Sequence, residues 1–445
     1  MFLESRSFHA NFLQRAHVAT LLGARKYNFK DNTSSLFPGE KVVRRFLCPG
    51  LYISSRKKIM ASTRTINRTV KLMLIMFGVW PGAPCMMFYQ VFWMITLTIS
   101  EFLHYQYFVT HFRFHNLFDL MDCLSSFLAL LKVSVKLVIF SIKQRKFVEI
   151  LTMTAEDWDE FDSTGAALRE TARKAKLSSR ICNGLIIFHT ISATVYVTSI
   201  LLADADVTDR TTELPLMMRM EYPFVIDTQR KYRLVLATQF IAVIICSWAA
   251  ALFNALFLTL TLHVGSQVNV LLCWLTEVGA KDVEKSHDFF VTFMTKIIRK
   301  HQKIISLSES IENLYSYIAL TKFISNTLMI CSLGFLIVTA LDSPDATEQI
   351  MRSLLFYTIT NLEAFIFCFA GEYLSNKSKA VGNAAYNFAW YNMKAKNSHV
   401  LLFIILRSQR QLKLTAGKMA ILSLECFTNI MKASGSYLSV LLAMK

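Results

Sequence analysis

The chain has 445 residues, 53% of them hydrophobic, with a mean hydropathy of +0.39. A soluble protein of this length would divide into two or three domains under a polar surface. Here the apolar residues gather instead in runs long enough to cross a hydrocarbon core. The net charge of +17 does not mark a nucleic-acid binder, because the basic residues follow the loops and form no groove interleaved with aromatics.

In chain order, residues 1–65 mix Phe and Leu with Arg and Lys and contain a turn-like FPGE at 37–40. They are expected to be a disordered cytoplasmic extension. An organelle transit peptide, or a true start at Met60, is the competing account. Organised chain is expected from Ile66, with an amphipathic turn ending in FGVWP (77–81), after which Pro81 opens the first membrane helix, where a missing amide costs nothing. Seven apolar runs follow, at roughly 83–108, 117–142, 178–203, 232–263, 316–341, 349–373 and 415–443. The fold class expected is an all-α membrane protein of seven transmembrane helices.

Charge sets the orientation. Residues 1–80 carry fourteen basic and three acidic residues, and 374–413 carry seven basic residues without one Asp or Glu. Segment 342–348 has only acids, Asp342, Asp345 and Glu348. Because Lys and Arg are retained on the inner side of a bilayer, a cytoplasmic N-terminus and an extracellular C-terminus follow. The inward loops are not simple turns: FVEILTMTAEDWDEF continues the second helix, and Phe290, Phe293, Ile297, Ile298, Ile304, Ile305 and Ile311 recur at helical spacing. Such extensions would gather into a cytoplasmic anchor layer.

Charges inside the apolar runs are costly and mark function or a partner. Lys132 and Lys136 share a face near the inner end of the second helix and could snorkel to water. Glu363, in the sixth, needs a partner or a hydrated cavity. In the last helix Glu425 and Lys432 lie two turns apart, among Ser423, Thr428, Asn429, Ser434, Gly435, Ser436 and Ser439. Small residues allow close packing and would equally line an aqueous conduit; spacing leaves both open. Val440 and Met444, one turn apart, could close a pore by dewetting. His189 and His263 read as packed or interfacial, and His115 with Asp119 is too sparse for a metal site. No HExxH, GxSxG, P-loop or dinucleotide turn occurs. An enzyme is not expected, and no cofactor.

The stretches FCFAGEYLSNKSKAVGNAAYNFAWYNM (367–393), LLFIILRSQRQLKLTAGKM (401–419) and IMKASGSYLSVLLAM (430–444), with FGVWP upstream, resemble the insect odorant receptors, and the likeness covers about 66–445. It favours the divergent odorant-tuning members over the shared co-receptor. The resemblance implies a heterotetramer with an olfactory co-receptor around a central pore, opened by small volatile or lipophilic odorants. The setting is the lipid of the plasma membrane in a sensory-neuron dendrite. It makes 66–373 helices one to six, 374–413 the anchor and 414–445 the pore helix. Lys432, Ser436, Val440 and Met444 then line the pore and its gate. The odorant pocket falls in the outward halves of helices two, three, four and six, with Met121, Ser125, Tyr196, Phe240, Phe356, Tyr357 and Thr360 as candidates. The alternatives are a gustatory-type channel, whose usual Gln-Phe is missing from SGSYLSVLLAM, and a metabotropic seven-helix receptor, whose topology would be inverted.

Overall fold

Hydrocarbon cannot satisfy backbone amides, so a chain with these apolar runs must close its hydrogen bonds within helices. The computed structural model describes residues 64–445, apart from 113–116, 161–164, 203–215, 278–286, 342–345, 389, 393–394 and 444–445. The extension over 1–65, His115 and the gate position Met444 therefore lie wholly or almost wholly outside the described residues. The first helices are α1 (Arg68–Met76), α2 (Met86–Thr110), α3 (Leu117–Ile142), α4 (Gln144–Glu160) and α5 (Gly165–Leu202). They are followed by α6 (Gln229–Glu277), α7 (His287–Ala340), α8 (Ala346–Tyr386), α9 (Ala395–Ser408) and α10 (Leu424–Ala443). Six of them, α2, α3 and α5 to α8, are long and apolar enough to cross a membrane. The seventh run, in α10, has the 20 residues that give about 30 Å at 1.5 Å per residue, but its serines and charges dilute its hydropathy.

The helical extensions expected in the loops are continuous with the spans. Helix α7 runs for 54 residues, about 80 Å, so well over half of it projects beyond a 30 Å core. It is also the best-covered candidate span, whereas α2 is the least. Phe88, Phe92, Ile95, Ile99 and Phe102 of α2 are all exposed, at the three- and four-residue steps of one helix face, as lipid contact requires. The centre is aromatic: Phe257 stacks on Phe367 at 4.2 Å between centroids, and Tyr315 packs edge-on or tilted against Phe140, Phe257 and Phe367.

The extension layer contains a closed ion cluster. Asp157 of α4 is buried; its Oδ2 lies 3.0 Å from His263 Nε2 of α6, and its Oδ1 lies 2.9 and 3.0 Å from Lys300 and Lys303 Nζ of α7. Burial would raise this carboxyl, but the His263 hydrogen bond and the charges of Lys300, His263 and Lys303 outweigh it and hold it well below the usual carboxylate range. Three separate elements are thereby tied to one side chain.

Two boundaries differ from the hydropathy reading. Pro81 does not open a helix: the backbone turns through 78–85, with Cys85 at φ 56°, and α2 begins at Met86. The last helix begins at Leu424 and not near residue 415, because Thr415–Ala416 and Ala420–Ile421 form an antiparallel hairpin, β1 and β2. Gly417 and Lys418 at its tip have φ of 61° and 60°, the left-handed pair a tight hairpin turn demands. The hairpin docks on α7: Gly417 N donates to Ser316 O at 2.8 Å, Lys418 N to Ser316 Oγ at 3.1 Å and Thr415 N to Glu312 Oε2 at 2.8 Å. Gly371 of α8 faces it so closely that a Cβ would stand 2.3 Å from Leu422 O.

Candidate functional site

A cavity of about 130 Å³ lies between α3, α5, α6 and α8. Ala129, Leu130, Val133, Ala193, Ala242, Val243, Leu355 and Ile359 give it apolar walls. Polar groups are few: Ser126, Ser192, Ser247, Thr360, Lys132, Lys136, His189 and Glu363. An apolar enclosure with a few convergent polar groups is the usual build of a small-molecule site.

Of the seven candidates, Tyr196, Phe356 and Thr360 line this cavity. Met121 and Tyr357 pack beside Leu128, Met329, Leu333 and Leu336. Ser125 is buried with its hydroxyl donated to Met121 O at 2.9 Å, and Phe240 is exposed. The cavity begins beside Ser125 and Phe240, at Ser126 and Ala242, and runs on along α3 to Lys136 and along α6 to Ala250, near the middle of the spans. Apolarity alone carries no depth signal, so family-style positions near the helix ends and positions at mid-span look alike in sequence.

The segment before α6 packs against one end of the cavity. Tyr196 Oη donates to Met217 O at 2.7 Å, Gln239 Oε1 accepts from the Met217 and Met218 amides, and Gln239 Nε2 returns a bond to Met218 O. Arg219 pairs with Asp119 at 2.7 Å. Met218, so pinned, lines the cavity and also a second one of about 170 Å³ beside α2, with which it shares Leu130, Val133, Ala242 and Cys246.

Beneath the cavity the intramembrane charges meet. Lys132 and Lys136 do not snorkel; both are buried. Lys132 Nζ lies 3.1 Å from Glu363 Oε2 and donates to Asn326 Oδ1 at 3.0 Å. Asn254 Nδ2 donates to Glu363 Oε1 at 3.0 Å, while Lys322 Nζ bonds Asn254 Oδ1 and stands 3.7 Å from Glu363 Oε2. Asn326 passes the network to Thr360 O at 3.1 Å. Sequence reading singled out Lys132, Lys136 and Glu363 but missed Lys322, Asn254 and Asn326. Their signal was present, as polar residues inside the apolar runs around ALFNALF, IALTKF and ISNTL.

On α10, Ile430 and Ser434 are buried, with Ser434 Oγ 3.4 Å from Thr327 O of α7. Lys432, Ser436 and Val440 lie on another face, four residues apart and exposed in the single chain.

The profile of the 7tm odorant receptor family matches residues 116–435, well over half of the chain and all of the cavity. The protein belongs to that family. Odorant receptor 13a of Drosophila melanogaster is 23% identical over 78% of this chain and 86% of its own length. Odorant receptor 10 of Aedes albopictus is 32% identical over 33% of this chain, and odorant receptor 2a of D. melanogaster is 28% identical over 34%. In each of the last two the match spans 38% of the relative's length. The fold is that of the olfactory receptor OR5 from Machilis hrabei, solved with eugenol, at a TM-score of 0.70, covering 88% of this chain and 100% of that one at 17% identity. This odorant receptor is thus a multi-pass helical membrane protein, with the cavity inside the segment that carries the family's signature.

Proposed function

We propose that this chain is an odorant-tuning subunit of a ligand-gated, poorly selective cation channel, and that it works in a heterotetramer with an olfactory co-receptor. Its N-terminus lies in the cytoplasm, its C-terminus outside, and the assembly sits in the plasma membrane of a sensory-neuron dendrite. The observation that carries the reading is the mainly apolar cavity at mid-span, which suits a small volatile guest such as the eugenol bound by the Machilis receptor. A second observation supports the pore. Lys432 and Ser436 occupy an exposed stripe on a membrane helix, and a charge in that position needs water or a partner.

Gating requires the guest to prefer one state, since equal affinity for both shifts nothing. Helix α8 touches the cavity through Phe356 and Thr360 and the hairpin ahead of α10 through Gly371. Guest-driven movement of α8 therefore reaches the pore helix through one rigid element. The test is whole-cell current in cells expressing this chain with and without a co-receptor, over a broad volatile panel. Odorant-evoked cation current that needs both chains is expected. A second-messenger rise without current would overturn the channel mechanism in favour of a metabotropic one.

A further inference from the structure

The charged floor of the cavity is out of balance. Three lysines, Lys132, Lys136 and Lys322, converge from α3 and α7 on the single carboxylate of Glu363, and His189, Tyr196 and Cys246 are the other titratable groups on the cavity wall. Both Glu363 oxygens are already engaged, Oε2 by Lys132 and Oε1 by Asn254. Lys322 has Asn254 and the face of Phe367, 3.9 Å away. Lys136 has neither an acceptor nor a carboxylate within bonding distance among the described residues. Its Nζ is buried, lies 6.0 Å from the centre of the Phe253 ring, and belongs to a side chain that forms part of the cavity wall. A buried amine left in that state costs far more than one paired with an anion. Among the described residues no second carboxylate bonds Lys136; Glu101, which reaches the same helix, is bonded to Ser134, and the cavity adjoins the amine.

We infer that the ligand of this cavity is a small lipophilic carboxylic acid, its carboxyl group on Lys136 and its hydrocarbon tail against the apolar walls. This rests on the reading of the cavity as the odorant site and narrows its chemical class. The pairing holds whichever form the amine takes before binding. An ammonium meets the carboxylate directly. A neutral amine takes the acid's O–H proton onto Nζ, leaving the same ammonium–carboxylate pair with atoms and charge conserved. Alcohols, aldehydes and esters of the same chain length fill the walls equally but bring no anion.

The experiment compares straight-chain acids of four to ten carbons with their methyl esters and alcohols. One readout is current from cells expressing this chain with the co-receptor, and the other is thermal stabilisation of the purified full-length chain. Acids are expected to act at concentrations about tenfold or more below their esters, the gap that one charge-assisted hydrogen bond produces. Lys136→Met should remove that gap by raising the acid concentration needed to that of the ester, and Lys136→Arg should restore part of it. Ala129→Phe, which fills the cavity and leaves Lys136 in place, should abolish both. Equal potency of acids and esters in the unaltered protein, or an acid preference that survives Lys136→Met, would overturn the inference and leave Lys136 a hydrated structural amine. Stabilisation by acids that is lost in Lys136→Met, but with no current from any pairing, would uphold the ligand class and sink the channel reading instead.

Discussion

Among the described residues stand two buried clusters in which one carboxylate sits among three basic side chains, and they are built for different ends. Around Asp157, in the extension layer, each basic group lies within 3.0 Å of a carboxylate oxygen, and the residues come from α4, α6 and α7. Around Glu363, at mid-span, Lys132 is bonded, Lys322 stands back at 3.7 Å, and Lys136 makes no hydrogen bond, all of it against a cavity. The first is a closed knot that holds helices together. The second stops short of closure where it meets the cavity. Completeness of pairing, not the number of charges, separates an anchor from a site.

The largest effect should come from removing the carboxylate that serves the open cluster. Glu363→Gln leaves three buried lysines without an anion, and breaking such a pair costs about 3–5 kcal/mol. In lipid no hydrophobic force between helices offsets the loss. Surface expression and detergent-solubilised thermal stability should both fall sharply; retention of wild-type stability would mean that Glu363 does not hold α3, α7 and α8 together.

Next comes Asp157→Asn, which should also destabilise the chain, with a pH signature of its own. The folded-state carboxyl titrates below its unfolded value, so its stabilising contribution is complete above the ordinary Asp value of about 3.9. That contribution fades as pH falls through the lower, folded value. The variant should therefore lose most against the wild type near neutrality and converge on it in strong acid. A stability gap that persists unchanged at low pH would remove the ion cluster as its cause.

How much of this was legible beforehand follows the same division. Apolar runs and basic loops gave seven helices, and the acidic run around Trp158 with the isoleucine period after Phe290 anticipated helical extensions. Lone charges at 132, 136 and 363 marked an unusual place, because hydrocarbon makes each of them costly. What periodicity lacks is distance. It cannot tell that Lys132 meets Glu363 across 231 positions of sequence, nor that of Phe356 and Tyr357, which pack on one core cluster, only Phe356 also lines the cavity. The hairpin at 415–421 was read as helix because its residues are mostly good helix formers; only the left-handed backbone at Gly417 and Lys418 overrides them. A smaller prediction follows from the hairpin's contact with α8. Gly371→Ala forces a Cβ onto backbone at Leu422, so it should weaken agonist efficacy more than agonist potency, read as a lower maximal current at an unchanged half-maximal concentration.

The smallest effect on stability should come from Lys136, and its sign carries the comparison. Replacing a paired buried charge costs stability, whereas replacing an unpaired one by an apolar side chain of similar length removes a desolvation penalty. Lys136→Met should then leave the melting temperature of the ligand-free protein unchanged or raise it slightly, while Lys132→Met, which strips Glu363 of its 3.1 Å partner, lowers it. A tie between the two variants would mean that Lys136 is bonded in solution after all and that the mid-span cluster is as closed as the one around Asp157. A split in the expected direction would show that the protein bears an unmatched cation at rest, which is the condition under which an arriving anion can bias one conformation over another.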